Sequence, residues 1–435
     1  MSLLLEHVTA VTMDPAQPVL KNAFVAVEGT KIAAVGTVRP QGAFDRVIDG
    51  AGQVLMPGLV NAHTHVPMAL LRGYGGGHDL QHWLNDYIFP AEARLDARCV
   101  AAGAALGLAE MIASGTTCIA DMYMYTDAIA KAVLEAGISA NLSCGGVYFG
   151  PPEDFSPDRC GDCQNQLRLA EEWHGAGEGQ ILVDASIHAE YTSCPPLWEW
   201  TAGFARKRGL GMQVHISETQ SEHESCRKKY GTTPIALFDQ YGVWERGGIA
   251  AHCVWVSDQD MDIMARKRIT AVHNPVSNLK LASGVARVPE MLALDVPVGL
   301  AVDGSASNDG SSLMEELRVC YLLHRLTSSE KAPSGYQVLK MATRGSARLL
   351  GREDIGQLAV GKCADFFLVD SRRLELVGGA YSPADVLATV GLRGPVDCTV
   401  VNGRVVVKEG HLVTIDEEKT AADARKACAD YLAKA

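Results

Sequence analysis

No apolar run in this chain reaches the roughly 18 residues that a membrane-crossing helix requires, so no membrane span is expected. No block of Lys and Arg stands out against a formal net charge of -12. Nucleic acid is therefore not an expected partner, and the acidic balance serves solubility. An N-terminal export signal is missing as well. Met1-Ser2-Leu3-Leu4-Leu5 is too short for an apolar core and runs straight into Glu6 and His7. The 12 cysteines contain a single C-x-x-C, Cys160-Gly161-Asp162-Cys163, with no second pair. Reduced thiols in a cytoplasm are expected, and the C-x-x-C reads as chance spacing in a loop.

What is there is an ordinary globular composition, 435 residues of which 47% are hydrophobic. That is ample for a large core, and one α/β barrel can use most of it. Both ends of the chain read as strands. Ala23 to Val27 and Ile32 to Val35 flank the turn residues Glu28-Gly29-Thr30. Near the other end, Asp365 to Asp370 is a strand run, and Thr399 to Val407 is broken by Asn402-Gly403, a hairpin signal. Residues 1–54 together with 355–415 are therefore expected to form one small composite β-sandwich domain, with 416–435 as a C-terminal helix.

The middle, 55–354, alternates strands with helical segments. Helices end at Gly115 and Gly137, typical C-terminal breakers. Repeated strand–helix units imply a parallel sheet, and their number favours a closed (β/α)8 TIM-like barrel. His63, His65, His188, His215, His252, His273 and Asp303 all fall at the C-terminal ends of expected strands. In such a barrel the active site lies at that end.

The stretch Asn61-Ala62-His63-Thr64-His65 places two imidazoles on the same face of one strand. His63, His65 and His215 are the expected imidazole ligands of a catalytic metal, with Asp303 as a carboxylate ligand. Glu218, three residues past His215, is the expected proton shuttle, and His252 the group that orients the attacking water. A binuclear site needs a bridging group, often a modified lysine, and Ile181 to Glu190 contains none. One divalent metal is expected.

Asn61-Ala62-His63-Thr64-His65, Val214-His215-Ile216-Ser217-Glu218-Thr219, Ala251-His252-Cys253-Val254 and Val302-Asp303-Gly304, in this order, resemble the amidohydrolase superfamily. The likeness is to its mononuclear aminohydrolase branch and runs nearly end to end. It implies zinc as the metal, although Fe2+ uses the same ligands. It also implies a small heterocyclic substrate and a homo-oligomer.

Within that branch the chain is most similar to 5'-methylthioadenosine/S-adenosylhomocysteine deaminases. Pro67 to Gly73 and His273 to Leu281 carry this closer likeness. It makes Glu92 the candidate ribose ligand, His188 a substrate contact and Trp83 a wall of the pocket. The likeness departs where those deaminases place arginines for the homocysteine carboxylate. Here Cys144 and Asp162 stand near that place, with Arg159 and Arg168 out of register. The expected reaction is deamination of an adenine nucleoside with a neutral 5' group. Asp303 to Ser311 and Gly394 to Asp397 look more like 8-oxoguanine and hydroxyatrazine aminohydrolases. A guanine-type or s-triazine aminohydrolase is thus the alternative, and a non-catalytic structural subunit the remote one.

Overall fold

The computed structural model describes residues 2–379 and 381–432. Residues 433–435, the last of the expected terminal helix, lie outside this range.

Eight parallel strands close into a barrel. They are β1 (Leu59–His65), β2 (Thr116–Met122), β3 (Ser139–Ser143), β4 (Ile181–Val183, continuing as Ala185–Ser186), β5 (Met212–Ile216), β6 (Gly248–His252), β7 (Ile269–His273) and β8 (Val298–Leu300, continuing as Asp303–Gly304). Each pairs in parallel with the next. Closure comes from β8 against β1, with Asp303 opposite Thr64 and Gly304 opposite His65. The ladder breaks briefly within β4 and within β8, and the chain re-pairs on its other side after each break. All seven residues of β2 are buried, as expected for a parallel strand covered on both faces.

Helices alternate with the strands and are stopped by local chemistry. Gly137, Gly209 and Gly231 take left-handed φ values of 79°, 71° and 72° at three helix ends. Thr219 starts the helix that Gly231 ends, and Ser257 starts another, with reciprocal capping bonds to Glu222 and Asp260.

The two ends of the chain meet in one nine-stranded sheet. Ser2–Val11 pairs antiparallel with Val19–Glu28, and Phe366–Asp370 pairs antiparallel with Gln53–Pro57. Cys398–Val401 and Arg404–Lys408 extend the sheet around Asn402 (φ 48°) and Gly403 (φ 75°), the two left-handed residues of a tight hairpin. Leu3, Leu5, Val25, Phe366, Leu368 and Val400 give this sheet its own apolar cluster.

The apolar run from Val54 to Val60 reads as one strand, but the structure divides it. Gln53–Pro57 belongs to the nine-stranded sheet and Leu59 begins β1. Gly58 is the joint. A Cβ there would lie 2.1 Å from Thr117 Oγ1, so only glycine fits without movement. The terminal helix Glu417–Leu432 packs on helix Ala97–Ala113, where Arg98 pairs with Asp430 at 2.8 Å. Among the described residues no helix is long and apolar enough to cross a membrane. Cys160 and Cys163 pack with Cys194 and Leu197 in a small apolar cluster.

Candidate metal centre and catalytic cavity

His63 and His65 project together from β1, their ring centroids 4.8 Å apart and nearly perpendicular. His215, at the end of β5, brings a third ring 4.7 Å from His63. The fourth member is Asp303. β8 is interrupted just before it, and its φ of 63° turns the carboxylate inward. Its Oδ1 lies 3.5 Å from His63 Nε2 and 3.3 Å from His65 Nε2. His215 Nε2 lies 3.3 Å from His65 Nε2.

These spacings fit one tetrahedral divalent metal. Bonds of roughly 2.0–2.2 Å give tetrahedral edges of roughly 3.3–3.6 Å. The hydrogen bonds around the rings agree. His65 Nδ1 donates to the Met122 carbonyl at 2.6 Å, and His215 Nδ1 donates to the His188 carbonyl at 2.8 Å. Each bond leaves the other nitrogen's lone pair facing inward. His63 is fully buried with neither ring nitrogen hydrogen-bonded to protein. Such a ring is costly unless a further ligand uses it. Asp303 Oδ2 accepts from Ser277 Oγ (2.6 Å) and Ser307 Oγ (2.9 Å), which fixes its orientation.

Beside this set stand Glu218 and His252. Glu218 Oε1 accepts from Ser283 Oγ at 2.9 Å, and its Oε2 lies 3.5 Å from His252 Nε2. Glu222 accepts the backbone N–H groups of Ser217 and Glu218 at 2.7 and 2.8 Å, which sets the turn that carries Glu218. His252 Nδ1 bonds Asn278 Oδ1 at 2.9 Å, leaving Nε2 to the site. Burial pushes the Glu218 carboxyl up, and nearby Asp303 adds to the push. Burial alone would lower His252, but the charges of Glu218 and Asp303 raise it. The two shifts leave a buried carboxyl and a buried imidazole facing each other across 3.5 Å. Ser217, His252, Cys253 and Asp303 all hold left-handed φ values, between 46° and 71°. Non-glycine strain of this kind gathers at functional sites.

The centre opens into a cavity of about 550 Å3 whose walls include Trp83, Glu92 and His188. Trp83 spends its indole N–H on the Tyr74 carbonyl at 3.2 Å. Burial pushes Glu92 up, with Tyr123 beside it. His188 bonds Thr192 Oγ1 at 2.9 Å through Nδ1, and burial pushes it down to about 3, which keeps the ring neutral. Cys144 and Asp162 also line the cavity, and among its described lining residues there is no Arg or Lys. Arg168 is bound to Asp127 at 2.6 Å, and Arg159 to the Asp154 carbonyl.

His273 does not join the centre. It ends β7 as expected, but its Nε2 meets His324 Nε2 at 3.2 Å in the core. Ser277, Asn278, Ser283 and Ser307 hold the functional side chains, and the sequence singled out none of them for a role. The first two lie in the quoted stretch His273 to Leu281. Ser307 lies in the quoted stretch Asp303 to Ser311, and Ser283 carries no local signal.

The amidohydrolase family model matches residues 54–406. A 5-methylthioadenosine/S-adenosylhomocysteine deaminase of Pelotomaculum thermopropionicum is 38% identical over 432 residues, covering 98% of each chain. A 5'-deoxyadenosine deaminase of Methanosarcina acetivorans is 38% identical over 435 residues, covering 100% of this chain and 99% of that one. An adenosine deaminase from Xanthomonas campestris, solved with bound zinc, superposes with a TM-score of 0.93 at 30% identity, over 99% of this chain and 98% of that one. An atrazine chlorohydrolase from Arthrobacter aurescens, complexed with zinc, superposes at 0.92 with 27% identity, over 98% of this chain and 100% of that one. By its barrel, its His-His-His-Asp set and this similarity along its whole length, the chain belongs to the amidohydrolase family.

Proposed function

We propose that the protein is a metal-dependent hydrolytic deaminase of adenine nucleosides, acting on those with a neutral 5' group. The observation that carries this is one arrangement. Four metal donors converge at the mouth of a barrel, next to a buried Glu218–His252 pair, in a cavity able to hold a nucleoside. Relatives at 38% identity that act on adenine nucleosides favour this reading over the triazine one, whose solved relatives stand at 26–27%.

His63, His65, His215 and Asp303 would hold the metal, zinc by preference. When bound, it supplies the Lewis acidity that brings water's pKa toward neutrality. Glu218 takes a proton from the attacking water and delivers it to the ring nitrogen beside the amino-bearing carbon. Its raised pKa suits both halves of that transfer. His252, held by Asn278, orients the water and then stabilises the oxygen as charge develops on it. The proton left on that oxygen then passes to the amino group, with Asp303 stabilising the oxygen, the carbon–nitrogen bond breaks, and ammonia leaves.

Glu92 would accept hydrogen bonds from the ribose hydroxyls, His188 would contact the substrate and Trp83 would cover the base, and all three line the cavity. The carboxylate of Asp162 near Cys144 repels a substrate carboxylate, and no lining cation offsets it. S-adenosylhomocysteine is therefore the poorest of the adenine nucleosides. This reading carries a cytoplasmic setting and a homo-oligomer with it; sedimentation of the purified protein tests the latter.

The direct test is product identity. 5'-Methylthioadenosine incubated with zinc-loaded protein should give the hypoxanthine nucleoside and one ammonia per turnover. Release of free adenine instead would contradict the reading.

A further inference from the structure

A second group of metal-binding side chains lies in the core, sharing no residue with the catalytic set. It joins His273, at the end of β7, to Cys320 and His324 on helix Leu313–Ser328. Cys320 and His324 are four residues apart and so lie on one helical face. All three residues are buried, at 1%, 0% and 0% exposure. Their donor atoms lie within 4.8 Å of one another.

The protein alone leaves this group poorly satisfied. A hydrogen bond across the 3.2 Å between the two Nε2 atoms uses one proton. The described residues give the buried Cys320 thiol no hydrogen bond. Buried polar atoms of this kind ordinarily find a partner. The Nε2 separation is also close to a tetrahedral edge for bonds of roughly 2.0–2.1 Å. Two imidazoles and a thiol are the donors of a borderline-soft divalent ion.

We propose that His273, Cys320 and His324 form a second metal site that takes a zinc-class divalent cation through two imidazoles and a thiolate. The ion displaces the thiol proton as it binds. One positive charge then remains, and the carboxyl of Glu316 lies one turn before Cys320 on the same helix, buried, where its ionised form offsets that charge. The site ties helix Leu313–Ser328 to the end of β7. Glu316 on that helix accepts the Val276 N–H at 3.2 Å, and the segment around Val276 supplies Ser277 to Asp303 and Asn278 to His252. The clamp therefore steadies the segment that orients the catalytic side chains. It does not depend on which nucleoside the protein deaminates.

The test uses the full chain loaded with zinc or cobalt. Wild type should hold about two metal ions per chain, and Cys320→Ser and His324→Gln about one. In the cobalt protein a thiolate-to-metal charge-transfer band should appear, because the catalytic set contains no sulfur. Cys320→Ser should lose that band. One ion per chain in wild type with no such band would overturn the proposal. So would a band that survives Cys320→Ser. Should that variant not fold, the wild-type stoichiometry and the band in His324→Gln decide between the same results.

Discussion

Glu218 is held at one carboxylate oxygen by Ser283 and faces His252 with the other, while Glu222 fixes the backbone beneath it. Such constraint is what the proton transfer proposed for Glu218 requires. Glu218→Gln keeps the shape and removes the base. It should lower kcat by at least about 10²–10⁴-fold with metal content unchanged, as steady-state rates and metal analysis would show. Asp162 lines the same cavity. Asp162→Asn keeps an acceptor for the Val147 N–H, which Asp162 now takes at 2.9 Å, and removes the charge. The ratio of kcat/KM for S-adenosylhomocysteine to that for 5'-methylthioadenosine should rise about fivefold, the equivalent of about 1 kcal/mol. No change in that ratio would remove Asp162 from the specificity argument. At this scale the sequence was legible where chemistry is rare. Two histidines two apart on a strand, or a Glu three past a His, have few other uses. Ser283 and Ser307 were not legible, because a serine is placed by the fold and looks like any other. His273 misled for a related reason: the end of a strand tells where a side chain leaves the barrel, not which way it turns.

At the scale of elements, the position of the centre follows from where strands stop. β1 and β6 end at His65 and His252, β5 and β8 one residue past His215 and Asp303, and three of these ends carry a left-handed non-glycine residue at or next to them. Alternation of apolar runs and glycine-stopped helices made the barrel legible. The joint at Gly58 was not legible, since an unbroken apolar run gives no sign of changing sheets. The Cβ of Gly58→Ala would meet Thr117 Cγ2 at 2.3 Å as well as its hydroxyl. The substitution should destabilise by about 1–3 kcal/mol and lower Tm, read by calorimetry on zinc-loaded protein. An unchanged Tm would mean that β2 yields more easily than its complete burial implies.

For the whole molecule, the barrel and the nine-stranded sheet share one folded unit in which Asp365 is an internal joint. Its Oδ1 accepts the Asn402 N–H at 2.7 Å and its carbonyl accepts the Gly58 N–H at 3.0 Å. Burial pushes its carboxyl up to about 7. The folded state thus holds a proton that the unfolded chain releases near pH 4. This contribution is fully present below the unfolded pKa and is lost as pH rises through about 7. Asp365→Asn should flatten the fall of Tm between about pH 4 and 7. An equally steep fall in the variant would assign that dependence to other groups. The pairing of the two ends was legible only as shared strand character, because composition does not show which strands meet.

The central claim is tested by ammonia release from metal-replete protein over one panel. It holds adenosine, 5'-methylthioadenosine, 5'-deoxyadenosine, S-adenosylhomocysteine, guanine, 8-oxoguanine, cytosine and an amino-triazine. The account predicts turnover of the adenine nucleosides, weakest on S-adenosylhomocysteine and absent from Glu218→Gln. Turnover confined to free bases or triazines would contradict it, and would remove Glu92 from the role of ribose ligand.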